Sequence, residues 1–227
     1  HCKRNLNDSR ELYICEDCNR QIPYVNEFHC IRCGSAIGPY STLTAKEGCT
    51  VCKGKHLHFD TMTAVAHYDG VMKTLIHKFK YARQKFLFRI LSDFVITHKK
   101  LKEIAPDIDV VVPVPLHWLK KMHRGFNQSE LLSLGIQRYF SKPMSSGNLC
   151  RIKNTESQTH LSKSQRQVNI HNAFFVKCPR SFQGKKILLV DDVLTTGVTA
   201  SECSKKLKES GARSVHLLVL ANAEYNS

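Results

Sequence analysis

Ile187-Leu-Leu-Val-Asp-Asp-Val-Leu-Thr-Thr-Gly-Val-Thr-Ala200 reads as a strand, an acid pair, a hydroxyl-rich loop and a helix start, in that order. Ile187 to Val190 is a continuous apolar run, the pattern of a strand buried on both faces of a parallel sheet. Asp191 and Asp192 follow, then Thr195, Thr196, Gly197, Val198 and Thr199. The spacing predicts a helix from Thr199 to Ser210, with Ala200, Cys203 and Leu207 on one face and Gly211 at its C-terminal end. A loop of this kind at a helix N-terminus is an anion site. The free backbone N–H groups and the positive end of the helix favour a phosphate, and the threonines add hydroxyl donors. Gly197 lets the backbone approach the ligand. The two carboxylates suit ribose hydroxyls or a ligand bound to Mg²⁺. The chemistry expected is recognition of a sugar carrying a 5′-phosphate.

Working outward, apolar runs alternate with helical periodicity. Strands are expected at Thr63 to Tyr68, Asp109 to Pro115, Ala173 to Val176, Ile187 to Val190 and Val215 to Leu220. Helices are expected at Val71 to Lys80, Phe86 to Lys102 and Gln128 to Tyr139. The alternation implies an α/β domain with a mostly parallel, Rossmann-like sheet whose ligands sit outside the strand C-termini. Two further segments carry chemistry. Trp118 to Gln128 reads as a loop in which Lys120, Lys121 and Arg124 could clamp a pyrophosphate; a merely solvated basic loop is the alternative. Arg151 to Arg166 is long, polar and basic, and reads as a lid from which Gln158 and Arg166 reach a substrate, or as an ordinary surface loop.

The first 60 residues differ in kind. Seven of the ten cysteines lie in the first 52 residues, six of them as the Cys-x-x-Cys pairs Cys15/Cys18, Cys30/Cys33 and Cys49/Cys52. Two such knuckles complete a tetrahedral Zn²⁺ site. Gly34 after Cys33 suits the tight turn, and Cys49/Cys52 is the expected partner of Cys30/Cys33, making one zinc ribbon. Cys15/Cys18 is then left with Cys2, read as half of a knuckle that begins upstream; pairing of Cys15/Cys18 with Cys30/Cys33 stays open. With few apolar residues, this segment takes much of its folding free energy from metal. The division expected is a zinc module over 1–60 and an α/β domain over 61–227.

Charge is distributed unevenly. Residues 1–60 hold eight Lys/Arg and seven Asp/Glu, so the remaining 26 Lys/Arg and 12 Asp/Glu give residues 61–227 a net charge of +14 out of +15. Such a domain draws polyanions. Lys73 to Lys102 carries nine Lys/Arg against one acid, Asp93, with Phe79, Tyr81 and Phe86 interleaved. Cations for phosphates and aromatics for bases are what a single nucleic-acid strand needs. Lys78, Lys80, Tyr81, Arg83 and Lys85 are the expected contacts, although Phe79 and Phe86 fit a helical core equally well. No apolar run approaches a membrane span and no secretory leader is visible, so a reducing compartment, the cytoplasm, is expected.

The Asp191 segment resembles the PRPP (5-phosphoribosyl 1-pyrophosphate) loop of type I phosphoribosyltransferases. Taken with the Cys-x-x-Cys pairs, Val112-Pro-Val-Pro-Leu116, Arg124-Gly-Phe-Asn-Gln-Ser129, Thr155/Gln158/Leu161 and Arg166/Asn169, the chain resembles the ComF family. The resemblance implies a structural zinc module before a phosphoribosyltransferase-like domain, with Asp191 and Asp192 as the candidate catalytic pair. It implies PRPP with Mg²⁺ as ligand, and a part in the uptake or cytoplasmic handling of transforming single-stranded DNA. The alternatives are an active Mg²⁺-dependent transferase on an unknown acceptor, and a non-catalytic PRPP-sensing adaptor that docks a competence helicase or DNA translocase. One departure matters: where the family has a first Cys-x-x-Cys, this chain has only Cys2.

Overall fold

Runs such as Val110-Val-Val-Pro113 and Ile187-Leu-Leu-Val190 are apolar at every position, which suits only strands covered on both faces. A computed structural model of the chain describes residues 2, 14–25, 28–38, 48–81, 84–153, 170 and 172–223. Arg83, Gln158, Arg166 and the side chain of Lys85 lie outside the described residues, as do Thr155, Leu161 and Asn169.

Four strands, β1 (Thr61–His67), β2 (Val110–Pro113), β5 (Lys186–Leu194) and β6 (Ser214–Asn222), form one sheet in the order β1-β6-β5-β2, parallel throughout. A second, two-stranded antiparallel sheet pairs β3 (Leu149–Arg151) with β4 (Phe174–Val176). Alternation along each main strand divides the core in two. Val65, Val111, Leu188, Val190 and Leu218 face helices α2 (Gly70–Tyr81), α3 (Phe88–Thr97) and α6 (Gln128–Phe140). Ala64, Val112, Ile187, Leu189 and Leu217 face α7 (Val198–Glu209) and the β3–β4 sheet.

The short elements complete the chain. α1 (Glu16–Arg20) carries Cys18 into the first core, α4 (Lys99–Ile104) follows α3, and α5 (Trp118–Arg124) follows β2. No helix among the described residues is long and apolar enough to cross a membrane.

Three differences from the sequence reading have physical causes. The helix expected over Phe86 to Lys102 is broken: a 3-10 turn spans Lys85–Leu87, and His98 is extended (φ −63°, ψ 125°) between α3 and α4. The β-branched run Val95-Ile-Thr97 ahead of the break is poor helix-forming sequence. The basic loop after β2 is a helix, α5, with no buried residue, so no apolar stripe announces it. β5 does not stop at Val190 but continues through both acids to Leu194, held by pairing with β6 up to Leu194 opposite Asn222.

The cysteine segment is sewn to the edge of the sheet. The Val25 N–H donates to the Val65 carbonyl (3.1 Å) and the His67 N–H to the Pro23 carbonyl (2.8 Å), flanking an antiparallel bridge between Tyr24 and Ala66. The Met62 N–H donates to Ile31 (2.8 Å), and the Asn222 amide donates to the Gly34 carbonyl (3.1 Å). Gly34 sits at φ +75°, and a Cβ there would lie 2.8 Å from the Met62 side chain, so the knuckle turn needs glycine on both counts.

Candidate functional site

The cleft follows from unequal strand lengths. β2 pairs with β5 only as far as Pro113 opposite Val190, and then leaves the sheet at Val114. The last four residues of β5 therefore project past β2 and open a crevice of about 300 Å³ at the carboxyl ends of the strands. Asp191, Asp192, Thr195, Gly197, Val198 and Thr199 line it from one side, and Lys120, Arg124 and Ser129 from the other.

On the β5 side the backbone could hold an anion. Gly197 is left-handed (φ 74°) and caps α7 without a side-chain hydrogen bond, and the first turn of α7 holds no acid. Gly197, Val198, Thr199 and Ala200 line the crevice at that turn, at the positive end of the helix. Thr196 Oγ1 is buried, with no hydrogen-bond partner among the described residues.

The segment Arg124-Gly-Phe-Asn-Gln-Ser129 builds the other wall, each residue with its own task. Arg124 donates to Gln128 Oε1 (3.2 Å), and Gly125 closes α5 in the left-handed region (φ 80°). Phe126 packs on Phe79, ring centroids 5.3 Å apart. The Asn127 amide donates to the Val114 carbonyl (3.0 Å) while its oxygen accepts from the Ser129 N–H (3.2 Å), so it ties the strand exit to the start of α6. Ser129 Oγ donates to Asp191 Oδ1 (3.0 Å).

Two acids side by side need compensation, and a lysine supplies it. Lys80 Nζ lies 2.8 Å from Asp192 Oδ1, both side chains largely buried. Burial alone would push the Lys80 pKa down; Asp192 outweighs it and holds it above the ordinary lysine value. Enclosure and the charge of Asp192 push the Asp191 carboxyl up to about 7, against the pull of Lys80, the Asp192 N–H and the Ser129 hydroxyl. Across the crevice, burial and then the charges of Arg151 and Arg124 push the Lys120 amine down. Three cations crowded in this way are what an anion relieves. Arg151 is itself held by its guanidinium lying 5.6 Å over the Phe174 ring.

The expected residues are thus sorted by geometry. Asp191, Asp192, Thr195, Gly197, Val198, Thr199, Lys120 and Arg124 come together in one cleft. Lys121 does not. Lys120 and Arg124 are four apart on one face of α5, and the intervening turn points Lys121 away to Glu130 (2.8 Å). Lys80, read with the basic stretch, leaves that row and points into the cleft, while Lys78 stays exposed. Ser129, Arg151 and Tyr68 line the site as well. Ser129 ends the motif that starts at Arg124, and Arg151 opens the polar segment over 151–166. Tyr68 has no sequence signal.

The cysteines form two groups whose sulfur atoms lie within 4.8 Å of one another: Cys30, Cys33, Cys49 and Cys52, and Cys2, Cys15 and Cys18. All are free thiols. In the first group Sγ separations are 3.5 Å (Cys33–Cys49), 3.8 Å (Cys49–Cys52) and 3.9 Å (Cys30–Cys52). A tetrahedron with Zn–S of about 2.3 Å has an edge of about 3.8 Å, so this donor set fits zinc. The second group supplies three thiols, with Cys2 and Cys15 3.5 Å apart.

These observations meet those from known proteins. Residues 104–225 match the family model described as "Phosphoribosyl transferase domain", so the class of the fold is a phosphoribosyltransferase domain on a mostly parallel sheet. The chain is 32% identical to Competence protein F of Haemophilus influenzae, covering 98% of this chain and 96% of that protein. It is 31% identical to the DNA utilization protein YhgH of Escherichia coli (strain K12), over 91% and 89% of the two chains. It is 29% identical to Competence protein ComFC of Bacillus subtilis, over 87% and 79%. The chain belongs to the ComF family.

Proposed function

We propose that the cleft binds PRPP or a closely related phosphosugar together with Mg²⁺, and that the protein acts on single-stranded DNA in the cytoplasm. The observation that carries the first part is the N-terminus of α7, without a side-chain cap, beside the acid pair of β5 on one wall of a crevice ringed by Lys80, Lys120, Arg124 and Arg151. Thr195, Thr196, Gly197, Val198 and Thr199 take the 5′-phosphate, Asp191 and Asp192 the ribose hydroxyls, and Lys120 and Arg124 the pyrophosphate. Asp191 and Asp192 are also the groups that would hold Mg²⁺, which when bound neutralises pyrophosphate charge. Gln158 and Arg166 belong to the proposed lid. Residues 1–60 form a zinc module, with Zn²⁺ on Cys30, Cys33, Cys49 and Cys52 and a second site completed around Cys2, Cys15 and Cys18. The DNA part is supported by the net charge of +14 on residues 61–227 and by relatives named for competence and DNA utilization. A DNA helicase or translocase is the protein partner that fits such a role.

A second reading, an active transferase, is favoured by Asp191. A carboxyl pushed up to about 7 can give or take a proton near neutral pH. Titration with PRPP and Mg²⁺ while pyrophosphate release is followed separates the two. Saturable binding without release supports a binder. Release that depends on an added acceptor supports the transferase. No binding at all refutes both.

A further inference from the structure

No residue of helix α5 is buried: Lys120 and Arg124 are half-buried at the cleft and the other five are exposed. It carries the chain's one tryptophan, Trp118, 61% exposed, and Met122, 72% exposed. Leaving so large an apolar ring in water forgoes the burial that makes tryptophan valuable in a core. The surroundings are cationic. No acid lies between Val114 and Ser129, while Lys120, Lys121 and Arg124 do. At the rim of the cleft the Arg124 guanidinium lies 5.2 Å over the ring of Tyr81, itself 56% exposed and 4.8 Å from the His77 ring. Tyr81, Lys120 and Arg124 also line the cleft, so two cations of α5 and the last ring of α2 run on into it.

We infer that α5 and the C-terminal end of α2 form the track for a single nucleic-acid strand, with Trp118 and Tyr81 as stacking platforms and Lys121 on the phosphates. The inference rests on the single-strand reading above and moves its centre. The expected row from Lys78 to Lys85 loses Lys80 to Asp192, and the aromatic–cation interleaving that such a strand needs is found instead on α5. Lys121 can exchange Glu130 for a phosphate at little cost, because a half-exposed ion pair is worth little. A lipid surface fits less well. A helix of seven residues is about 10 Å long, barely two turns, which is short for a helix that lies in a membrane interface.

The single tryptophan makes the test direct. The full-length protein is titrated with a 5′-hydroxyl oligothymidylate of about 20 nucleotides, and tryptophan emission is read beside an independent binding signal from a labelled strand. Stacking on Trp118 quenches the emission saturably, with the same midpoint as the labelled strand. Trp118→Ala weakens binding roughly tenfold, within the range for one stacked base. Lys121→Ala lowers the salt slope by about 0.7. Both variants keep the wild-type thermal midpoint and PRPP affinity, since neither side chain is buried or lines the cleft. If the strand binds with no change in emission, and both variants match the wild type in affinity and salt slope, the track lies elsewhere and the inference falls while the single-strand reading stands. If the labelled strand does not bind at all, both fall. Emission that responds to phosphatidylglycerol vesicles and not to the oligonucleotide assigns the surface to lipid and overturns the inference.

Discussion

At Asp191 opposing neighbours set the charge: enclosure and Asp192 favour the neutral acid, Lys80 and Ser129 the carboxylate. The balance leaves its pKa at about 7, far above an ordinary aspartate, with two consequences of defined sign. Below pH 7 the group is protonated and binds hydroxyls and cations poorly. PRPP affinity measured with Mg²⁺ is therefore expected to rise with pH from 6 to 8 around a midpoint near 7, and to flatten in Asp191→Asn; a flat wild-type profile would show that Asp191 stays ionised throughout. A raised carboxyl pKa also means that this residue's contribution to stability improves as pH falls from about 7 towards the ordinary aspartate range, because the folded state then binds the extra proton. Removing Lys80 leaves two carboxylates together, so Lys80→Met should move the binding midpoint upward. The acid pair and the threonine loop were legible because they are contiguous: one short segment states both the charge and the helix that follows. Lys80, Ser129 and Arg151 were not legible as partners, because they reach the cleft from three distant elements and no spacing along the chain records the meeting.

Among elements, the contact of α3 with α6 is tight enough to be diagnostic. A Cβ on Gly135 would lie 2.6 Å from Ser92 Oγ and 2.7 Å from its Cβ, and Ser92 is buried. Alanine improves helix propensity by about 1 kcal/mol, whereas overpacking costs about 1–3 kcal/mol. The second effect wins because the obstructing atoms sit close to the α3 backbone. Gly135→Ala is expected to lower stability by roughly 1 kcal/mol in denaturant unfolding, and an unchanged or raised midpoint would mean that the helices separate freely. The site shares the consequence, since α6 carries Gln128 and Ser129 at its first turn. Long elements with an apolar face, such as α2, α6 and the strands of the four-stranded sheet, could be read from their apolar pattern to within a few residues. α5 could not: a helix that buries nothing has no stripe to read, and its order is visible only in the His117 and Gly125 caps and in what Arg124 and Lys121 touch.

Over the whole molecule, a few residues of chain after Cys52 join the cysteine cluster to the start of α7. Leu57 packs both against the four buried cysteines and into the core beneath α7. A Cβ on Gly197 would be 3.8 Å from Leu57 Cδ2. The Ser201 hydroxyl donates to the His56 carbonyl (3.1 Å) and accepts from the His58 N–H (3.1 Å). The knuckle of Cys49 and Cys52 thus buttresses the start of α7. Chelating the metal, or Cys52→Ser, is expected to weaken PRPP binding several-fold as well as to expose the N-terminal segment to protease; metal-free protein with wild-type PRPP affinity would uncouple the two. The knuckle spacings made the cysteine clusters legible, but nothing in them signalled that Cys49 and Cys52 lean on the start of α7. Calorimetric titration with PRPP and Mg²⁺ decides whether the acid pair of β5 and the N-terminus of α7 form one phosphosugar site. Asp191→Asn is the variant to compare, because it keeps the oxygen that accepts from Ser129 and leaves Asp192 in place to pair with Lys80. Saturable binding in the wild type, weakened at least tenfold (about 1.4 kcal/mol) in Asp191→Asn at an unchanged thermal midpoint, is the result predicted; no heat of binding in the wild type, or equal affinity in the variant, would contradict it.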